Sequence, residues 1–195
     1  MQIVHSNSNF NQLISLKNIF NCWQEFKKGK GKKRDVMEFQ FKLEDNLFQL
    51  QQDLENQTYR HGPYHTFHIY DPQFRIISKA SVKDRLVHHL VFKELYRIFD
   101  SGFMYHSYSS RLDKGTHLAV RNLEKVIRKS SHNYHQTVYA LKCDIKKFFY
   151  SVSHQKLFAI IKQKAKDKKF LWLVEEIINS FSSSGDNFPQ RERES

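Results

Sequence analysis

The segment Lys142-Cys143-Asp144-Ile145-Lys146-Lys147-Phe148-Phe149 is the one best equipped for chemistry. The residues before it, Val138-Tyr139-Ala140-Leu141, are apolar enough for a short strand entering a core, so Asp144 is expected where that strand emerges. A carboxylate in that position suits Mg2+, a hard ion that takes oxygen ligands and keeps several waters, and the neighbouring lysines suit phosphates. The same residues also read as an aspartate capping a short turn. A second cluster, Lys27-Lys28-Gly29-Lys30-Gly31-Lys32-Lys33-Arg34, sets six cations around two glycines. It reads either as a solvated basic loop or as a loop that contacts phosphates. It is not a Walker phosphate loop, which needs Ser or Thr after its Lys. His61, His65 and His68 are spaced H-x3-H-x2-H, but strand alternation sends His65 and His68 to opposite faces and neither cysteine is near, which argues against zinc. His88 and His89 are consecutive on a helix, so both cannot face one site. Cys143 reads as a small buried residue. Phe103, Tyr105, Tyr108 and Tyr134 lie among cations and either stack on bases or belong to the core.

The elements that must position these groups are mostly helical. Phe10, Leu13, Ile14, Ile19, Phe20, Trp23 and Phe26 recur at three- and four-residue spacings, a helical stripe over residues 10 to 26. Past the basic loop, Asp35 is placed to cap a second helix reaching about Asn56, with Phe39, Leu43, Leu47, Leu50 and Leu54 on one face. Between Tyr59 and Ser78 the pattern changes to short strands around a turn at Asp71-Pro72. Ser81 with Asp84 reads as a capping-box-like start for a helix carrying Leu86, Val87, Leu90, Val91, Leu95 and Ile98. Further helices are expected over about Thr116 to Lys129, over 154 to 166 and over 169 to 181. The tail from 183 to 195 has no apolar period and is expected to be disordered.

The whole chain has 195 residues, room for one ordinary domain or two small ones. Apolar residues make up only 39%, yet aromatics reach 14% with 17 Phe, which argues against disorder throughout. Six Gly and three Pro exclude collagen-like and low-complexity classes. No apolar run is long enough to span a membrane and the N-terminus lacks a signal-peptide core, so no membrane partner is expected. Two cysteines make a disulfide framework implausible and point to the reducing cytoplasm. Lys and Arg total 32 against 20 Asp and Glu, a net charge of +12. An excess of that size indicates a polyanionic partner without naming a reaction.

The segment around Asp144 resembles motif A of reverse transcriptases, especially the bacterial retron, group II intron and diversity-generating retroelement forms. Upstream blocks agree in order. Arg75-Ile76-Ile77-Ser78 followed by Lys83-Asp84-Arg85-Leu86-Val87-His88-His89 resembles the fingers motif of that family. Phe103 with Ser107-Tyr108-Ser109-Ser110-Arg111 and Lys114-Gly115-Thr116-His117 resembles its next block, and the resemblance covers roughly residues 15 to 182.

The resemblance implies an α+β chain: a right-hand polymerase fingers region, largely helical with a small β element, over residues 1–136, then the first strand and helices of the palm over 137–182. It implies RNA-templated DNA synthesis, with an RNA template, a DNA primer and deoxynucleotides as partners and Mg2+ as cofactor. Asp144 would be the first catalytic carboxylate, and the Ile145 carbonyl would help hold the metal. Phe149 would be the steric gate against a ribose 2′-hydroxyl. Arg75 and Arg85 would approach the triphosphate or template from the fingers. Lys28, Lys30, Lys32, Lys33, Arg34, Arg111 and Lys114 would meet nucleic acid. Tyr150 and Ser153 stand where the family often has Asp. No Asp-Asp dipeptide occurs in the sequence, and the match gives way at about Phe188. The expectation is therefore a truncated chain, inactive as a polymerase. The alternatives are a nonenzymatic RNA-binding module and a nonfunctional remnant.

Overall fold

A computed structural model describes residues 9–70, 74–145 and 148–181, apart from the side chains of Phe149 and Tyr150. These residues form a largely helical chain with one small antiparallel sheet, an α+β architecture. The chain divides into two compact units, residues 1–95 with 152–195 and residues 96–151.

In the first unit the N-terminal stripe is split into α1 (Phe10–Leu13) and α2 (Leu16–Lys27). Ser15 starts α2, its side chain accepting from the Asn18 amide, and the Asn18 side chain donates to the Leu13 carbonyl. Those side-chain bonds replace backbone bonds that a continuous helix would have made. The second expected helix is likewise two, α3 (Arg34–Phe41) and α4 (Leu43–Glu55), broken at Lys42. Asn46 Nδ2 donates to the Phe39 carbonyl there, occupying an acceptor at the break. Asp35 does not cap α3, because Lys33 holds the N-cap position and the Asp35 carboxylate is engaged by Lys79 and Arg85.

Strands β1 (His65–Tyr70) and β2 (Phe74–Lys79) pair antiparallel from His65 opposite Lys79 to Tyr70 opposite Phe74. The turn expected at Asp71-Pro72 lies outside the described residues. The capping expectation at Ser81 holds: its Oγ accepts from the Asp84 amide at 3.1 Å at the start of α5 (Val82–Phe99). Near the C-terminus, α8 (His154–Lys164) and α9 (Lys168–Ser180) lie within two residues of their expected ranges. Asp167 accepts from the Lys169 and Phe170 amides to cap α9, and its other oxygen accepts from the Phe10 amide at 3.1 Å. One carboxylate thus starts the last helix and ties the first one to it.

The core of this unit is continuous in composition. Ile19, Trp23, Val36, Leu50, Leu54, Leu86, Leu90, Phe170 and Leu173 are fully buried, and Trp23 packs its ring 5.0 Å from Phe39 and 5.9 Å from Phe26.

The second unit holds the end of α5, a 3-10 turn at Asp100–Gly102, α6 (Thr116–Ser130) and the four-residue α7 (Phe148–Ser151). Gly115 precedes α6 with φ of +104°, a conformation that L side chains rarely adopt. The strand expected over 138–144, the opening strand of a palm, is not formed. Residues 137–145 are irregular and exposed, with Tyr139 96% and Leu141 90% accessible. An isolated strand leaves its amides and carbonyls unpaired, and β1 and β2, the strands among the described residues, pair only with each other. Cys143 is exposed for the same reason and not the small buried residue expected. Among the described residues no helix is long and apolar enough to cross a membrane.

Candidate functional site

The fingers-like block of the sequence folds as β2 leading into α5. Arg75 stands on β2 opposite Ile69 and is exposed. Arg85 is committed elsewhere. Its guanidinium bonds the Asp35 carboxylate, donates to the Ser81 carbonyl and lies 5.4 Å from the centre of the Phe26 ring. Lys79 Nζ meets the same Asp35 oxygen at 2.6 Å, so one carboxylate gathers two cations. Burial works against the charged Asp35, but Lys79 and Arg85 outweigh it and hold the carboxyl below its ordinary value. Asp35 and Lys79 rim an open cleft of about 680 Å3 whose lining also includes Phe39, Asn46, Gln49, His65 and Lys83.

Behind that rim lies a buried polar network. Asp84, fully buried, accepts from the Tyr59 hydroxyl at 2.7 Å, the Ser81 hydroxyl at 2.6 Å and the Gly62 amide at 3.3 Å. Desolvation would raise its pKa, yet these donors and the nearby His61 lower it on balance. Burial and the Asp84 charge push the Tyr59 hydroxyl far above its ordinary value, so it stays a donor. His61 and His88 approach each other through their Nε2 atoms at 3.0 Å, while His89 turns away to Glu25 at 3.1 Å. The two histidines of α5 therefore do not share a site, as their spacing required.

The basic loop between α2 and α3 mixes two uses of charge. Lys30 Nζ donates to the Phe26 carbonyl at 2.9 Å and sits 4.3 Å from the Phe26 ring centre, closing the end of α2. Arg34 pairs with Glu38 one turn along α3 at 2.8 Å. Lys28, Lys32 and Lys33 are exposed.

In the second unit Arg111 organises the loop before α6. It reaches Asp100 at 2.7 Å and donates to the carbonyls of Asp100, Met104 and Ser107, leaving only 11% of its side chain accessible. Lys114 donates to the Tyr105 carbonyl at 2.7 Å and lies 4.0 Å from that ring. Phe103, Tyr105 and Tyr134 are exposed and not core, and each carries a cation over its ring: Arg111 at 5.6 Å, Lys114 at 4.0 Å and Arg128 at 5.9 Å from the ring centre. Asp144 and Ile145 are exposed on the irregular segment, Phe149 belongs to α7, and Lys146 and Lys147 lie outside the described residues.

Mg2+ needs about six oxygens, commonly one or two carboxylates with phosphates and waters. Asp144 offers one carboxylate and Ile145 one carbonyl. Among the described residues no group of three or more His, Cys, Asp or Glu is arranged to hold a metal ion. The described residues therefore do not by themselves make a Mg2+ site.

Sequence reasoning missed Lys79, the ion-pair role of Asp35, and the partnership of His61 with His88. The first two lie 44 residues apart, and only the closing of β2 against α3 brings them together.

No protein-family model matches the chain. Over 106 residues it is 27% identical to a protein of Schizosaccharomyces pombe described as "Uncharacterized 91 kDa protein in cob intron". The match covers 54% of this chain and 12% of that protein, so the chain spans a small part of its relative's length.

Proposed function

We propose that the chain carries the fingers and the opening of the palm of a reverse transcriptase, acting in RNA-templated DNA synthesis. The observation that carries the reading is the arrangement upstream of Asp144. Arg75-Ile76-Ile77-Ser78 lies on β2, and the run containing Lys83, Asp84 and Arg85 follows at once on the capped first turn of α5. The intron position in the relative's description supports it, because retroelement enzymes of the resembled kind are encoded in introns. The reaction is attack of a primer 3′-hydroxyl on the α-phosphate of a deoxynucleotide, with pyrophosphate leaving. Arg75 meets phosphate from the hairpin in this reading, while Arg85 and Asp35 hold the hairpin's base. Asp144 would serve as a metal ligand only beside further carboxylates, and no Asp-Asp dipeptide occurs in this sequence.

The test is primer extension on an RNA template by this chain joined to a palm that carries the paired carboxylates. Asp144→Asn is expected to lower nucleotide addition by several orders of magnitude, each factor of ten being about 1.4 kcal/mol of barrier. Phe149→Val is expected to change the ratio of deoxynucleotide to ribonucleotide use and to spare deoxynucleotide addition. Near-normal extension by Asp144→Asn would refute the assignment.

A second reading, an RNA-binding module without chemistry, is favoured by the exposed Lys28, Lys32 and Lys33 and the +12 charge. It predicts RNA affinity falling with salt at a log–log slope of about −3 or steeper, at roughly 0.7 per single-strand phosphate contact. Replacing Lys27, Lys28, Lys30, Lys32, Lys33 and Arg34 together by Gln flattens that slope if the loop touches phosphate. An unchanged slope would remove the loop from the interface.

A further inference from the structure

The connection from α4 to β1, residues 56–64, is held in place by groups from two helices. His61 Nδ1 donates to the Gly62 carbonyl at 2.6 Å, which fixes that proton and leaves Nε2 to face His88. The two ring centres are 5.1 Å apart and nearly parallel, while the Nε2 atoms are 3.0 Å apart. A centre-to-centre distance so much longer than the Nε2 separation means that the rings meet head to head, not face to face. One proton fits between the two Nε2 atoms, and two do not.

We propose that His61 and His88 form an acid-release latch, a pair that holds residues 59–64 against α5 and α9 while at most one of its rings is charged. The neutral pair has His88 Nε2–H donating to His61 Nε2. A first added proton is accommodated at His88 Nδ1 while the shared proton passes from His88 Nε2 to His61 Nε2, so that His61 becomes the donor. A second places N–H against N–H and opens the contact. This inference stands on the fold and does not depend on the polymerase reading.

The surroundings set the direction of the response. From residues 59–64, Tyr64 stacks on His61 with ring centres 4.8 Å apart, Arg60 pairs with Glu176 at 3.4 Å, and the neutral Tyr59 is bound to Asp84. From α5, Asp84 favours a charged His88 and Arg85 opposes it. From α9, Glu176 accepts from the His61 backbone amide at 3.1 Å, and Ser180 bonds the Tyr64 hydroxyl at 3.1 Å. Desolvation first, and the nearby His61 second, lower His88 from its ordinary value to about 4. A histidine with a lowered folded pKa contributes stability above its unfolded value, about 6.5, and that stability is lost as pH falls toward 4. The released state gains up to tenfold per pH unit across that window. Release leaves Glu176 and Ser180 without their partners in residues 59–64, while α9 itself stays anchored by the buried Phe170, Leu173 and Val174.

The test uses the 195-residue chain, with histidine 15N shifts and amide hydrogen exchange followed from pH 7 to pH 4. The expected result is a proton on His61 Nδ1 throughout and a His88 that resists protonation to well below 6.5. Exchange at residues 59–64, corrected for its intrinsic rate, is expected to quicken by up to tenfold per pH unit. His88→Gln keeps a donor for His61 and cannot take a charge, so it is expected to stay protected at pH 7 and to lose the acid response. His88→Leu removes the donor and is expected to loosen the segment even at pH 7. A His88 that titrates near 6.5 in the folded chain would overturn the latch. So would an acid response as steep in His88→Gln as in the unaltered chain. If either variant fails to fold, the titration of the unaltered chain still decides.

Discussion

The two units of this chain differ in what lies inside them. Residues 1–95 with 152–195 contain every buried apolar side chain found among the described residues, from Phe10 to Val174, and the fully buried Asp84 with its donors. Among the described residues of 96–151 Ser131 alone is buried, while Val120, Leu123 and Val126 of the amphipathic α6 are exposed, as are Tyr139, Leu141 and Ile145. Burial of apolar area is the dominant favourable term in folding, so the first unit has its own source of stability and the second is held by polar contacts such as those of Arg111. The first unit is therefore a folded platform with a core, and the segment carrying Asp144 is not part of that core.

The largest test of that contrast is a pair of truncations. Leu50→Ala, at a fully buried position, is expected to cost about 2–5 kcal/mol of unfolding free energy, and Leu141→Ala, at a position 90% exposed, to stay within about 0.5 kcal/mol. Urea titrations of the two variants measure both. Equal losses would erase the distinction between the units.

A smaller effect sharpens the account of the platform's polar interior. Tyr59→Phe removes one donor from the buried Asp84 carboxylate and is expected to cost about 1.5–3 kcal/mol, because the carboxylate is left short of a charge-assisted bond. The loss should be greatest above pH 4 and shrink as Asp84 is protonated, since a lowered carboxylate pKa contributes stability that disappears as pH falls through it. Parallel melts of the two proteins at steps of pH from 7 downward, with the Asp84 carboxyl followed by NMR, would show it, and a difference that does not shrink as Asp84 takes up its proton would mean that Tyr59 acts only through packing.

The stripes that build the platform were legible in the sequence because helical burial leaves a three-to-four-residue period, as in Ile19, Trp23 and Phe26 or Leu86, Leu90 and Phe170 with Val174. The Ser81–Asp84 start of α5 was legible because the cap is local. The break at Lys42 was not, since neither Gly nor Pro marks it and its partner bond joins Asn46 to Phe39. The strand expected at 138–144 failed for a different reason. A run of apolar residues states that a segment can be buried, and only partner strands decide that it is. The Asp35 cluster and the His61–His88 pair join residues far apart in sequence, and no periodicity reports such contacts.

The most direct test of the central contrast is native-state hydrogen exchange on the 195-residue chain. The account predicts that amides of α4, α5 up to Leu90, and α9 exchange only through the largest openings, whereas residues 137–145 exchange at nearly unprotected rates and α6 falls close to them. Protection of residues 138–144 equal to that of α5 would contradict it, because those residues would then belong to a cooperative core that their exposure denies.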